Sequence, residues 1–180
     1  MVGLRKGKCY RRLERPYTRK SKYKKKGYIR AFPPHKISRF EMGDKSKQYD
    51  FKIKLVSKGT LQLRHNSLES ARIVVNRVLE SKLGSSYYFK INIYPHHGLR
   101  ENKMLGGAHA DRLQTGMAHS FGKVIGSAAQ VKAGKEIFTA WILKEGMEVA
   151  KAALKSATPR LPGSYIIVIE PLKKIELLEN

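Results

Sequence analysis

The chain has 180 residues, with 37 Lys/Arg against 14 Asp/Glu and a formal charge of +23. That length holds one domain with a real core, and a charge that large repels itself, so a polyanionic partner is expected. No apolar run reaches the ~18 residues of a spanning helix, the basic N-terminus lacks the apolar stretch of a secretory signal, and the single cysteine, Cys9, excludes an internal disulfide and fits a reducing compartment.

The charge is uneven. Residues 1–40 hold 15 Lys/Arg against Glu14 alone, residues 41–135 hold 16 against 7, and residues 136–180 hold 6 against 6. The expected division is a basic extension over 1–36 and a single domain over 37–180. In the extension, Arg5, Lys8, Arg11, Arg12, Arg15, Arg19, Lys20, Lys22, Lys24, Lys25 and Lys26 are interleaved with Tyr10, Tyr17, Tyr23 and Tyr28. Cations neutralise phosphates and rings stack on unpaired bases, so the pattern suits RNA. A membrane-binding segment would need an apolar face, and none is visible. The competing reading is a solvated tail. On either reading, order is expected only on binding.

From residue 37 the patterning changes. Residues 37–42 read as a short strand ending at Gly43. Phe51, Ile53 and Leu55 alternate with Lys52 and Lys54, a half-buried strand, and Leu61-Gln62-Leu63 is expected to pair back on it after a Lys58-Gly59 turn. A helix follows over about 66–82, with Asn66 and Glu69 at capping-box spacing and Gly84 as its stop. Leu68, Ala71, Val75, Val78 and Leu79 share its apolar face. Glu69, Arg72, Asn76 and Glu80 share the polar face, where Ile73 is out of place. Arg72 and Arg77 are candidate phosphate ligands, or plain solvated or ion-paired residues. Residues 88–94 alternate as a strand that Pro95 ends.

Residues 95–126 gather four of the six histidines and six glycines, and no sustained period survives them. A long functional loop over 95–122 is the expectation. Small residues around Val124, Ile125 and Val131, a strand over 136–142 and a helix over about 144–157 come next. Pro159 stops that helix. Residues 165–169 form a run apolar enough to be buried on both faces. The class is α+β, two helices laid on a mostly antiparallel sheet.

The loop allows two chemistries. His96 or His97 with Glu101 and Asp111 could build a metal-dependent RNA-processing site. Yet the two carboxylates stand ten residues apart, no cysteine is near, and consecutive histidines on an extended segment point to opposite sides. The other reading is RNA contact. Gly106, Gly107, Gly116 and Gly122 let backbone N–H groups approach a phosphate, and Arg100, Lys103, Arg112 and Lys123 supply charge. His96 and His97 can stack on bases or donate to phosphate. A flexible surface loop without a partner is the bland alternative.

The runs 102–105 (Asn-Lys-Met-Leu), 110–117 (Ala-Asp-Arg-Leu-Gln-Thr-Gly-Met) and 121–123 (Phe-Gly-Lys) closely resemble the archaeal and eukaryotic large-subunit ribosomal protein family "L ten e", relatives of the bacterial "L sixteen". Residues 9–11, 15–17, 37–43, 69–77 and 161–163 extend the resemblance over essentially the whole chain. The resemblance implies an α/β-hammerhead type of α+β fold and no catalysis or cofactor. It implies docking on large-subunit rRNA (the 23S and 5S region) beside neighbouring ribosomal proteins, with no membrane and no homo-oligomer. The loop, with Gly106, Gly107, Asp111, Gln114, Gly116 and Gly122, would point toward the peptidyl-transferase region and the tRNA acceptor arm. The eukaryotic C-terminal extension is absent, which points to an archaeal source. A free tRNA-binding regulator remains as an alternative.

Overall fold

A computed structural model of the chain describes residues 5–13, 29, 31–102 and 122–172. Eight strands and two α-helices run in the order β1 (Glu41–Gly43), β2 (Phe51–Ser57), β3 (Leu61–Arg64), α1 (His65–Leu83), β4 (Tyr87–Ile91), β5 (His97–Glu101), β6 (Lys123–Val131), β7 (Glu136–Ile142), α2 (Met147–Ala157) and β8 (Tyr165–Pro171). The α+β class holds, but the strands form two sheets rather than one. The larger has the order β1-β4-β7-β2-β8 and the smaller β3-β6-β5. Every pairing is antiparallel.

The division comes from two adjacent turns. Ser57 donates its N–H to the Lys135 carbonyl at 3.1 Å, and Gly134 donates to the Ser57 carbonyl at 2.8 Å. The β2–β3 and β6–β7 connections therefore run side by side, and each carries its chain from one sheet to the other. This corrects the expected hairpin: Leu61 pairs with Val131 of β6 and not with β2.

Alternation along β2, β4 and β7 puts Ile53, Leu55, Phe89, Ile91, Phe138 and Ala140 on one face, under the two helices. Helix α1 meets them with Leu68, Ala71, Val75 and Leu79, all fully buried, and α2 with Ala150, Ala153, Leu154 and Ala157. The alanines let the helix backbones approach closely. A Cβ on Gly146, at the entry to α2, would stand 3.0 Å from Leu83 at the end of α1. The outer face of the large sheet is polar and aromatic. There Lys54 bridges Glu136 and Glu170 at 2.7 and 2.6 Å, and Tyr88 lies 4.8 Å from Trp141 between ring centres.

Three further expectations change. The capping box does not form: the N-cap is Arg64, without a side-chain cap bond. Glu69 instead takes the Arg72 guanidinium, a charge-assisted pair stronger than a bond to one amide. Residues 165–169 are not buried on both faces. β8 pairs only with β2 and ends the sheet, leaving Ile166 and Val168 46% and 37% exposed. The stretch 95–122 is not loop throughout, since residues 97–101 form a strand paired with β6.

Candidate RNA-binding surface

The smaller sheet carries the surface. Its β5–β6 pairing runs from His97↔Ala128 to Glu101↔Lys123, with a register shift between Leu99 and Arg100. Residues 102–122 thus leave and re-enter the fold at one point, on a two-stranded stalk. Two details close the stalk. Arg100 donates from Nη1 to the Gly122 carbonyl at 3.1 Å. Gly122 itself lies against the opposite strand, where a Cβ would stand 2.6 Å from the Glu101 carbonyl carbon. Glycine is required there for the close approach.

The N-terminal segment is laid along β3. Residues Gly7–Tyr10 form a 3-10 turn. Gln62 donates its N–H to the Arg11 carbonyl and its side-chain amide to the Tyr10 carbonyl, both at 2.9 Å. Arg64 donates to the Arg5 carbonyl at 2.9 Å. Residues 5–13 lie along the outer edge of β3, whose Gln62 and Arg64 side chains donate to the strap's backbone carbonyls. Between strap, β3, the first turn of α1 and the end of α2 lies a cleft of about 280 Å³. Lys8, Arg11, Arg64 and Arg160 line it with Ser67 of α1, and no acidic residue is among its walls. Four cations from three separate segments, two of them on the strap, converge at an uncapped helix start, an arrangement suited to phosphate.

A second strap crosses the other side of the small sheet. Ile29 and Phe32 pack over Gly98 of β5, 3.2 and 3.0 Å from where its Cβ would be. The Lys36 N–H donates to His65 Nδ1 at 3.0 Å, tying the strap to the start of α1. Burial, then the charges of Lys36, His35 and Arg64, push the His65 pKa down, which favours the neutral ring that this accepting Nδ1 requires. Beyond it, Ser38 donates both N–H and hydroxyl to Glu69, at 3.3 and 3.2 Å.

The sequence-selected residues separate into groups. Arg5, Lys8, Arg11 and Arg12 are exposed on the strap, Lys123 at the stalk and Arg77 on α1, and none of them joins the six ion pairs found among the described residues. Arg77 lines an open groove with Ile73, which gives that misplaced isoleucine an address. Arg72 is committed elsewhere: it grips Glu69 at 2.8 and 2.7 Å, touches the Met42 sulfur at 3.1 Å, and its side chain is only 12% exposed. The Arg72 bonds to Glu69 hold that carboxyl below its ordinary range. His96 is exposed and His97 half-buried. Arg15, Tyr17, Arg19, Lys20, Lys22, Lys24, Lys25, Lys26, Lys103, Gly106, Gly107, Asp111, Arg112, Gln114 and Gly116 lie outside the described residues. Arg64 and Arg160 were not foreseen. Nothing local marks them, because the cleft exists only once the strap meets the end of α2.

No group of three His, Cys, Asp or Glu able to hold a metal occurs among the described residues. Nor is any described helix long and apolar enough to cross a membrane. The fold and surface define a class: a basic α+β domain with cationic straps and a stalked insertion. The comparison with known proteins makes it particular. Residues 16–168 match the family model described as ribosomal protein L16p/L10e. The chain is 46% identical over 175 residues to the large ribosomal subunit protein uL16 of Metallosphaera sedula, covering 95% of this chain and 97% of that one. It is 43% identical over 176 residues to the uL16 of Methanococcus maripaludis, covering 97% and 98%. Against the uL16 of Archaeoglobus fulgidus it is 43% identical over 174 residues, covering 96% and 95%. All three relatives are archaeal. The chain belongs to the ribosomal protein L16p/L10e family. The family is structural and not enzymatic, which removes the RNA-processing reading.

Proposed function

We propose that this chain is a structural constituent of the large ribosomal subunit, working in the cytoplasm as part of the ribosome, that binds rRNA through the N-terminal strap, the cleft beside it and the stalk. The observation that carries the reading is the set of unpaired cations. Lys8, Arg11, Arg12, Arg77 and Lys123 have no carboxylate partner among the described residues, while Lys54, Arg72, Lys90 and Lys151, elsewhere, do. Charges left unpaired on a protein of +23 are supplied with counter-charge by a polyanion. Family membership supports the same reading.

The insertion between Glu101 and Lys123 reaches toward the peptidyl-transferase region and the tRNA acceptor arm, and the body docks on the 23S and 5S region beside other ribosomal proteins. The stalk supports this, because a loop whose ends meet can project without disturbing the sheet. Arg100, Lys103 and Arg112 supply its charge, and Gly106, Gly107, Gly116 and Gly122 its close approach to backbone phosphates. Co-sedimentation tests the proposal: the chain stays with large subunits through a high-salt wash. Release into the free pool, with retained affinity for isolated tRNA, would favour a tRNA-binding regulator instead.

A further inference from the structure

Four aromatic rings gather on the surface where the second strap meets the β4–β5 connection. Tyr94 is the hub. Phe40 stacks on it with ring centres 5.4 Å apart and planes 21° from parallel. His96 lies 4.6 Å away at 44°. His35 sets an edge against both, 5.1 Å from Tyr94 and 5.7 Å from Phe40. The interior has room for rings of its own, since Phe89 and Phe138 are fully buried. Two of these four are not used that way: Tyr94 is 45% exposed and His96 is exposed as well, while Phe40 is half-buried against the core and His35 half-buried beside it.

Their position is fixed from beneath. Ile93 and Pro95, on either side of Tyr94, are buried. The His96 N–H bonds back to the Tyr94 carbonyl at 3.0 Å, and the Phe40 carbonyl accepts from the Ile91 N–H at 2.8 Å. The rings are thus held by backbone and core contacts. Lys36 and Arg39, on the same strap as His35 and Phe40, are exposed and join no ion pair among the described residues. A pre-set aromatic surface with cations beside it is what an unpaired nucleotide needs, a face for the base and charge for the phosphate.

We propose that Tyr94 and His96, backed by Phe40 and His35, form a stacking platform for an unpaired base of RNA, with Lys36 and Arg39 taking the adjoining phosphates. This deepens the rRNA-binding reading and rests on it. The platform holds the base by its π-face, so it tolerates different bases but not the loss of one.

The test uses the full chain and a single-stranded RNA oligonucleotide carrying 2-aminopurine, with an abasic counterpart of equal charge. Binding quenches the 2-aminopurine fluorescence, and the abasic oligonucleotide binds about 5- to 150-fold more weakly, the range base–aromatic stacking spans. Tyr94→Ala and, separately, the exposed His96→Ala lose the quench and the discrimination but keep the salt slope. Tyr94→Phe keeps all three. Equal binding of the two oligonucleotides, or a quench untouched in a folded His96→Ala, overturns the platform and leaves the rRNA reading standing. Binding that barely changes with salt overturns both.

Discussion

Single residues show how much of this surface depends on contacts that no local pattern announces. Glu69 sits at a capping-box position, yet it organises a cluster: Arg72 bidentate on one side and Ser38 of the strap on the other. Its carboxyl is held below the usual range by Arg72, then Ser38, against the opposing effect of burial. The contribution is therefore present above the ordinary carboxylate pKa and lost as pH falls through the lower folded value. Glu69→Ala leaves a largely buried guanidinium without its partner and is expected to cost about 1–3 kcal/mol, read as a lower denaturant midpoint at unchanged slope. His65 acts at a higher pH. Its folded pKa is depressed, so the unfolded chain binds the extra proton, and stability falls as pH drops from about 6.5 toward the folded value. His65→Gln should flatten that part of a pH–stability profile; an unchanged profile would mean His65 does not titrate differently in the folded state. Gly43 makes a third case. Its φ is +83°, and a Cβ would lie 2.1 Å from the Tyr87 carbonyl oxygen. Gly43→Ala is expected to destabilise by ~2 kcal/mol or more in thermal melts.

Among the elements, the stalk and the first strap make separable predictions. The insertion starts and ends at the Glu101↔Lys123 pair, and a deletion that took Glu101 with it would break that pair. Replacing residues 103–121 with a short turn avoids it. The shortened chain is expected to fold with a melting temperature within a few degrees of the parent, because loop length alone costs little. Incorporated into subunits, it should impair translation. A shortened chain that fails to fold would make the insertion part of the core. Deleting residues 1–13 removes the backbone acceptors of Gln62 and Arg64 and two cations of the cleft. RNA affinity should fall for all sequences alike, since phosphate contacts carry affinity rather than choice.

For the molecule as a whole, charge and burial are arranged in opposition. The helices, the large sheet and Leu61, Leu63, Ala129 and Val131 of the small sheet make the core, and among residues 136–180 the acids match the bases. The excess charge falls within residues 1–135, and among the described residues cations without a carboxylate partner stand on the first strap, at the stalk and on α1. Whole-chain RNA affinity should therefore drop steeply with salt, by about 0.7–0.9 log units per log unit of salt for each phosphate neutralised, and the 1–13 deletion should shallow that slope.

Both helices, Gly84 as a stop and the strands over 51–57 and 136–142 were legible in the sequence, because each has a period of its own and local spacing determines which face is apolar. The charge and its partner class were legible for the same reason: composition needs no fold. What only the tertiary structure decided is pairing. That β3 leaves β2 for β6, that β8 is an exposed edge, and that the loop stands on a stalk depend on hydrogen bonds between segments tens of residues apart. The same holds for Arg72, which looks like its neighbour Arg77 in the sequence but faces Glu69 and Met42 in the fold. It holds for the cleft and the ring platform too, whose members carry no common signal until long-range contacts bring them to one place.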